Sequence, residues 1–383
     1  MATSETTGET TTASTVVVGL LADPGLPAEL SEDLAGQLPE LLDRQTDGRA
    51  RWQVDTTTQA LTLDEHGTLP SVQIGQHALA EHGWDLVILI TELPRRAGTQ
   101  PIISDYGADT GVGLMSLPAL GAVGLRRQAR KVLIHLLTEH LVAKPLSEGS
   151  GHGRAGQHDH RPLGLGAPVE HISSDDEGID SHLALTGVAG RLRLLAGMVR
   201  ANRPWRLVPS LSPAIAGAAA GAAFGIFYSN IWQLADAFST WRLLLVNVLA
   251  VLAMIAWLII DNGLWERPSD DRLREEAVLY NAATALTISI GVVCMYVLLY
   301  VVTLASALVV IPPTYLESTL AHPSGFGEYA IIAWLSVSMG TIAGALGSGL
   351  ASEDAVRQAA YSKREQERRR RLETEDTAAG EPR

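Results

Sequence analysis

The chain has 383 residues, 46% of them hydrophobic and 19% charged, with one cysteine and a formal net charge of −13. The charge is uneven: residues 1–186 carry 12 Lys and Arg against 25 Asp and Glu, whereas residues 187–383 carry 17 of each. An acidic half joined to an apolar half excludes a nucleic-acid binder driven by a basic domain, a disulfide-stapled secreted scaffold and a simple soluble enzyme.

Residues 1–13, rich in Thr, Glu and Ser and without an apolar h-region, read as a disordered tail rather than a signal peptide. Residues 14–143 then alternate strand and helix patterns. Ser14–Leu21 is a β-branched run, and Pro27–Leu42 spaces Leu30, Leu34, Leu38 and Leu41 along one helix face. Arg51–Thr57 reads as a strand and Ser71–His82 as a short helix ended by Gly83. Trp84–Thr91 (WDLVILIT) is the most apolar strand, as a central strand buried on both faces must be. Gln100–Asp105 and Gly111–Leu117 read as two further strands, and a helix from Ala122 to Val142 closes the unit. The alternation predicts a cytoplasmic α/β domain on a mixed sheet.

The closing helix carries His135-Leu-Leu-Thr-Glu139-His140, the weak candidates for a metal site. Zinc peptidases place two histidines one helical turn apart, at His-Glu-x-x-His spacing. Here the histidines are five positions apart, about 140° around a helix, so they cannot both face one metal. The stretches DLVILITELP and GVGLMSLPALG before that helix resemble archaeal-type metzincins over roughly residues 84–140. The resemblance implies a zincin-like fold without its metal, because the diagnostic ligands are absent. Gly111-Val-Gly-Leu-Met-Ser116 resembles the glycine-containing signature of methylenetetrahydrofolate dehydrogenases. Their catalytic lysine follows a tyrosine by four residues, which neither Lys131 nor Lys144 does. There is no phosphate-cradling glycine loop, nucleophile elbow or Walker A loop, so no cofactor is expected. Asp85, Glu92, Asp105 and Asp109 fall near strand ends, where α/β sites form, although solvated carboxylates are the simpler reading.

Residues 144–186, rich in Gly, His, Asp and Ser, read as a flexible linker. Its His152, His158, His160, His171 and His182 can bind Zn²⁺ or Ni²⁺ adventitiously but lack a fixed ligand spacing. Residues 187–206 turn amphipathic: Val188, Leu192, Leu195 and Val199 share one face, with Arg193 and Arg200 on another. A helix in the interface plane is expected, with Arg191, Arg193, Arg200, Arg203 and Arg206 meeting anionic headgroups.

Residues 207–352 contain four stretches free of charge and long enough to cross a bilayer, about 211–231, 241–260, 284–310 and 329–350. A four-helix, all-α transmembrane bundle is expected. Arginines cluster before the first stretch, between the second and third, and in the basic tail 353–383, which predicts an inner-membrane, multi-pass protein with both termini cytoplasmic. Gly217, Gly221 and Gly225 form a small-residue row in the first stretch; Gly340, Gly344 and Ser348 form another in the fourth. Such rows let backbones approach closely, so these faces are expected to pack, with each other or across a homo-oligomer. No stretch holds an ionisable residue in its interior, which argues against a pump or coupled transporter. Cys294, within the third stretch, reads as a small hydrophobe.

The block RLRLLAGMVRANRPWRLVPSLSPA (Arg191–Ala214), with REEAVLYNAATALTISIGV (Arg274–Val292), resembles a group of uncharacterised actinobacterial integral membrane proteins. The likeness spans most of the chain, and 26 Arg against 3 Lys fits a high-GC source. It implies location and architecture and carries no activity. The expected function is that of a non-enzymatic membrane protein whose α/β domain recruits a cytoplasmic partner, with lipid rather than nucleic acid as its other contact. A membrane-anchored enzyme or metal-binding domain is the second expectation, and a passive channel the third.

Overall fold

The computed structural model describes residues 15–46, 50–64, 68–97, 100–141, 168–173, 178–266 and 274–348. The chain divides into two compact units, one running to Met198 and the other from Val199 to Gln366.

The first unit is a mixed α/β sheet domain. Its elements are β1 (Thr15–Ala22), α1 (Leu26–Ala35), α2 (Leu38–Gln45), β2 (Arg51–Thr58), α3 (Ser71–His82), β3 (Leu86–Thr91), β4 (Arg95–Ala97), β5 (Gln100–Gly107), β6 (Val112–Ser116), α4 (Leu125–His135), β7 (Val169–Ser173) and β8 (Ser181–Leu185). The strands run in the order β2-β1-β3-β6-β5-β8-β7, with β4 attached to β5. The pairs β2-β1, β1-β3 and β3-β6 are parallel, and those from β6 to β7 are antiparallel. β3 is buried at every residue, as an apolar strand covered on both faces must be. On one face Leu21, Val87, Leu89, Val112 and Leu114 pack with Leu61, Leu69 and Ala78. Gly19 lies directly against the Trp84 indole, whose Nε1 donates to Asp55 (3.2 Å). A Cβ at Gly19 would occupy the ring's place.

Two expectations need correction. The helix expected over Pro27–Leu42 is two helices, broken at Gly36–Gln37, and Pro39 in the first turn of α2 cannot donate back across that break. The segment expected to be a linker supplies β7 and β8, which close the antiparallel side of the sheet. β8 is buried throughout because it lies between β5 and β7, while β7 is the partly exposed edge. The rest of that segment, residues 144–167 and 174–177, lies outside the described residues, as do 1–14 and 349–383.

α5 (Gly187–Ala201) leads out of the first unit. The second unit is helical: α6 (Leu207–Ser210), α7 (Ser212–Phe227), α8 (Ser229–Ala237), α9 (Thr240–Asp261), α10 (Arg274–Val310), α11 (Pro313–Leu320) and α12 (Phe326–Ser348). Three helices are long and apolar enough to cross a membrane, over Thr240–Asp261, Ala277–Val310 and Phe326–Gly347. Only 22% of the most apolar window of α9 is buried inside the chain, so most of its Leu and Val side chains need an apolar surround from elsewhere. The first expected span is not one straight helix. It stops at Phe227, Tyr228 turns extended (φ −106°, ψ 109°), and α8 departs at 86°. Counted as one broken span, this pair makes a fourth.

Candidate functional site

The strand order reverses at β1, which has β2 on one side and β3 on the other. A doubly wound sheet offers a ligand crevice beyond the carboxyl ends of such strands. Asp23, the first residue past β1, fills that position and is fully buried. Its Oδ2 accepts the Thr91 hydroxyl at the end of β3 (2.6 Å), and its Oδ1 accepts the Leu61 N–H (2.9 Å). Its own N–H donates to the Ile90 carbonyl (3.0 Å). Thr91 Oγ1 in turn accepts the Leu93 N–H (3.0 Å), and the Ser116 hydroxyl donates to the Leu93 carbonyl (2.8 Å). The polar groups at the strand ends therefore clamp the chain together.

A second buried cluster crosses β4, β5 and β8. Asp105 stands opposite His182 in the β5-β8 register. His182 Nδ1 donates to Asp105 Oδ1 (2.6 Å), and Arg95 reaches Oδ2 from β4 (2.8 Å). Asp105 is 2% exposed and His182 is 7% exposed, so the group is closed to bulk water. An imidazole oriented by a carboxylate is half of a general-base pair. Here the pair sits where the register slips between Ile102 and Ser104, and the three side chains fasten three strands there.

The four carboxylates expected near strand ends do not gather. Asp85 precedes β3 and accepts the Val17 N–H (2.8 Å), while Glu92 follows β3, about 23 Å away at about 3.3 Å per residue. Asp109 lies in the β5–β6 turn, at the Asp85 end of the sheet, and Asp105 lies within β5.

His135 ends α4, half-buried, and its ring centroid is 6.1 Å from that of His171 on β7. The chain beyond it, Leu136–Leu141, winds as a π turn. A π turn advances fewer degrees per residue than an α-helix, so the angle between positions 135 and 140 differs from the 140° of regular α geometry. The side chains of Glu139 and His140 lie outside the described residues. Among the described residues, no three His, Cys, Asp or Glu side chains gather as a metal site.

Of the arginine collar, Arg191 is exposed and Arg200 and Arg203 are partly exposed, while the side chain of Arg206 is not described. Arg193 turns toward its own domain: its guanidinium donates to the Ala119 (3.2 Å) and Leu120 (2.8 Å) carbonyls. Burial pulls its pKa below the usual arginine range. Leu194 and Met198 are buried and Gly197 lies against the Pro118 carbonyl, whereas Val188 and Leu192 are exposed. Of the expected Val188–Leu192–Leu195–Val199 stripe, Val199 is buried and Leu195 half-buried, so only its N-terminal half is exposed.

The glycines of α7 face those of α12. A Cβ built on Gly221 would lie 2.9 Å from Gly340 Cα, and one on Gly344 would lie 2.7 Å from the Ala214 carbonyl oxygen. Gly217 faces Gly344 and Gly347, and Gly225 lies against Ser336. The Ser348 side chain is outside the described residues.

Sequence reasoning missed Asp23, Thr91, Arg95 and His182 as members of buried networks. The only signal was local: an Asp directly after an apolar run, and a His flanked by Ser181 and Leu183 in a short apolar stretch. No protein-family model, curated protein or solved structure matches the chain.

Proposed function

We propose that the chain is a non-enzymatic integral protein of the cell membrane. Four crossings, the first of them broken, anchor an α/β domain on the cytoplasmic side, where it recruits a protein partner. The observation that carries this reading is where the α/β unit directs its charged side chains. Asp23, Asp85, Asp105, Arg95 and Arg193 each hold backbone or one another, so the sheet reads as a rigid platform. The alternation of arginine-rich and arginine-poor connections supports the orientation. With the α7 and α12 glycine rows facing each other in one chain, assembly with other molecules falls to the remaining surfaces. The resemblance to actinobacterial membrane proteins agrees with this architecture.

Affinity capture from native membranes tests it, comparing the full chain with a chain lacking residues 1–186. A defined partner retained only by the full chain is expected. Identical captures from both chains would overturn the recruiting role.

A further inference from the structure

We propose that the sheet domain docks on anionic lipid through an apolar tip made by loop 121–124 and the outer face of α5. Among the described residues up to Met198, three large apolar side chains are exposed: Val123 (82%), Val188 (72%) and Leu192 (60%). The loop that carries Val123 is stapled to the helix that carries the other two. Arg193 donates to the Ala119 and Leu120 carbonyls, a Cβ at Gly121 would lie 2.9 Å from Arg193 Cγ, and Gly197 lies against the Pro118 carbonyl. Gly121 and Gly124 turn the chain at positive φ (82° and 68°), with Ala122 and Val123 exposed between them.

Charge selects the occupant. Residues 1–186 hold 12 Lys and Arg, and four of them, Arg126, Arg127, Arg130 and Lys131, fall within six positions just after the loop. Arg126 is matched by Asp33 (2.9 Å), whereas Arg127 stands exposed. On α5, exposed Arg191 shares a helix face with Val188 and Leu192. Apolar side chains flanked by cations fit a headgroup layer, where the former enter the acyl boundary and the latter meet phosphates. The rest of the domain is acidic and is repelled by the same leaflet, so the tip also sets which side faces the lipid. Chain length keeps it within reach. From Leu192, α5 runs on to Ala201 and the apolar helices begin at Leu207, so at most about 35 Å of chain parts them.

The inference rests on the membrane anchorage proposed above. The test uses the full chain in a Cys294→Ser background, reconstituted in nanodiscs of phosphatidylglycerol and phosphatidylcholine, with a fluorescent label on Ala122→Cys. Nitroxide on the lipid headgroups should quench that label and leave one on Gln73→Cys, on exposed α3, bright. Val123→Asp or Leu192→Asp, both at exposed positions, should abolish the quenching. Arg127→Gln should lower the ratio of docked to undocked domain about fivefold, the worth of one cation at an anionic surface. Discs of phosphatidylcholine alone should quench weakly, and equal quenching there overturns the charge selection. A bright label at position 122 in chains that have entered the discs overturns the docking and leaves the anchorage standing. Chains that fail to enter the discs overturn both. Shielding of position 122 from aqueous iodide without nitroxide quenching would mean that a second copy of the chain covers the loop, which overturns the lipid assignment.

Discussion

Asp23 joins three stretches of chain that are remote in sequence: its own strand end, the loop at Leu61 and the end of β3 at Thr91. Asp23→Ala leaves a buried hydroxyl and a buried N–H without an acceptor, at a cost of about 2–5 kcal/mol for the α/β unit. Asp23→Asn, whose amide oxygen still accepts one bond, should cost less. Tryptophan fluorescence during thermal unfolding reads both, and equal transitions for wild type and Asp23→Ala would refute the clamp. His322, between α11 and α12, poses a protonation question. One ring nitrogen meets the Pro323 carbonyl (2.9 Å) and the other Asp236 Oδ1 (3.2 Å), so only the imidazolium donates to both. The carbonyl, then the carboxylate, raise its pKa above the ordinary 6.5. Because the folded value is the raised one, the stabilisation is fully present below the unfolded value and fades as pH climbs through the folded value. Thermal stability of His322→Gln should therefore trail the wild type most in acid, and the two should converge at alkaline pH. A gap independent of pH would show that the ring acts by packing alone.

Helix α7 meets α12 through atoms that only glycine leaves room for. A Cβ at Gly340 would collide with the Ala218 carbonyl, while a Cβ at Gly327, near the start of the same helix, meets nothing within 4 Å. Gly340→Leu should therefore part the two helices and destabilise the helical unit by about 1–3 kcal/mol, the usual cost of overpacking. Gly327→Ala should be neutral or slightly stabilising, since alanine is the better helix former. Detergent-induced unfolding followed by circular dichroism separates the two, and equal effects would mean that the row is incidental. These rows were legible in the sequence because four-residue spacing of small residues is itself the packing device. So were β1 and β3, since burial on both faces demands an unbroken apolar run. β7 and β8 were not: VEHIS and SHLAL are five residues each, sit among Gly and Asp, and gain their identity from the neighbour they pair with. The bend at Tyr228 was equally hidden, because no proline or glycine marks it. Its trace is the polar series Asn230, Gln233 and Asp236 in α8, where Gln233 bonds the Thr319 carbonyl and Asp236 bonds His322. The buried networks were the least legible. Asp105 was visible as a carboxylate in a strand, but its partners come from β4 and β8, and only the antiparallel register brings His182 opposite it. The ring beside His135 was hidden for the same reason, since His171 belongs to a strand in a stretch that patterning alone reads as linker.

At the scale of the whole chain, the proposed topology rests on the division of charge. The acidic 1–186 stretch carries 25 Asp and Glu, and no apolar run there is long enough to cross a bilayer. The arginines cluster before α7, between α9 and α10, and after α12, with Arg242 alone near the start of α9, whereas the connection through α11 holds no Lys or Arg. In the topology proposed above, retention of basic connections on the cytoplasmic side would put α11 outside and the sheet domain inside. Single-cysteine variants in a Cys294→Ser background test this directly, with Gln73→Cys on exposed α3 and Ser318→Cys on exposed α11. A membrane-impermeant maleimide added to intact cells should label Ser318→Cys at once and Gln73→Cys only after permeabilisation. The reverse pattern would invert the topology and remove the recruiting domain from the cytoplasm. Labelling of both in intact cells would mean that the connections do not alternate and that the bent α7–α8 pair re-enters the membrane without crossing it. The 86° break makes that last outcome physically meaningful, because α7 alone, at 16 residues and about 1.5 Å per residue, covers about 24 Å of a core about 30 Å thick. Its crossing depends on α8 or on the residues before Ser212 to complete the depth.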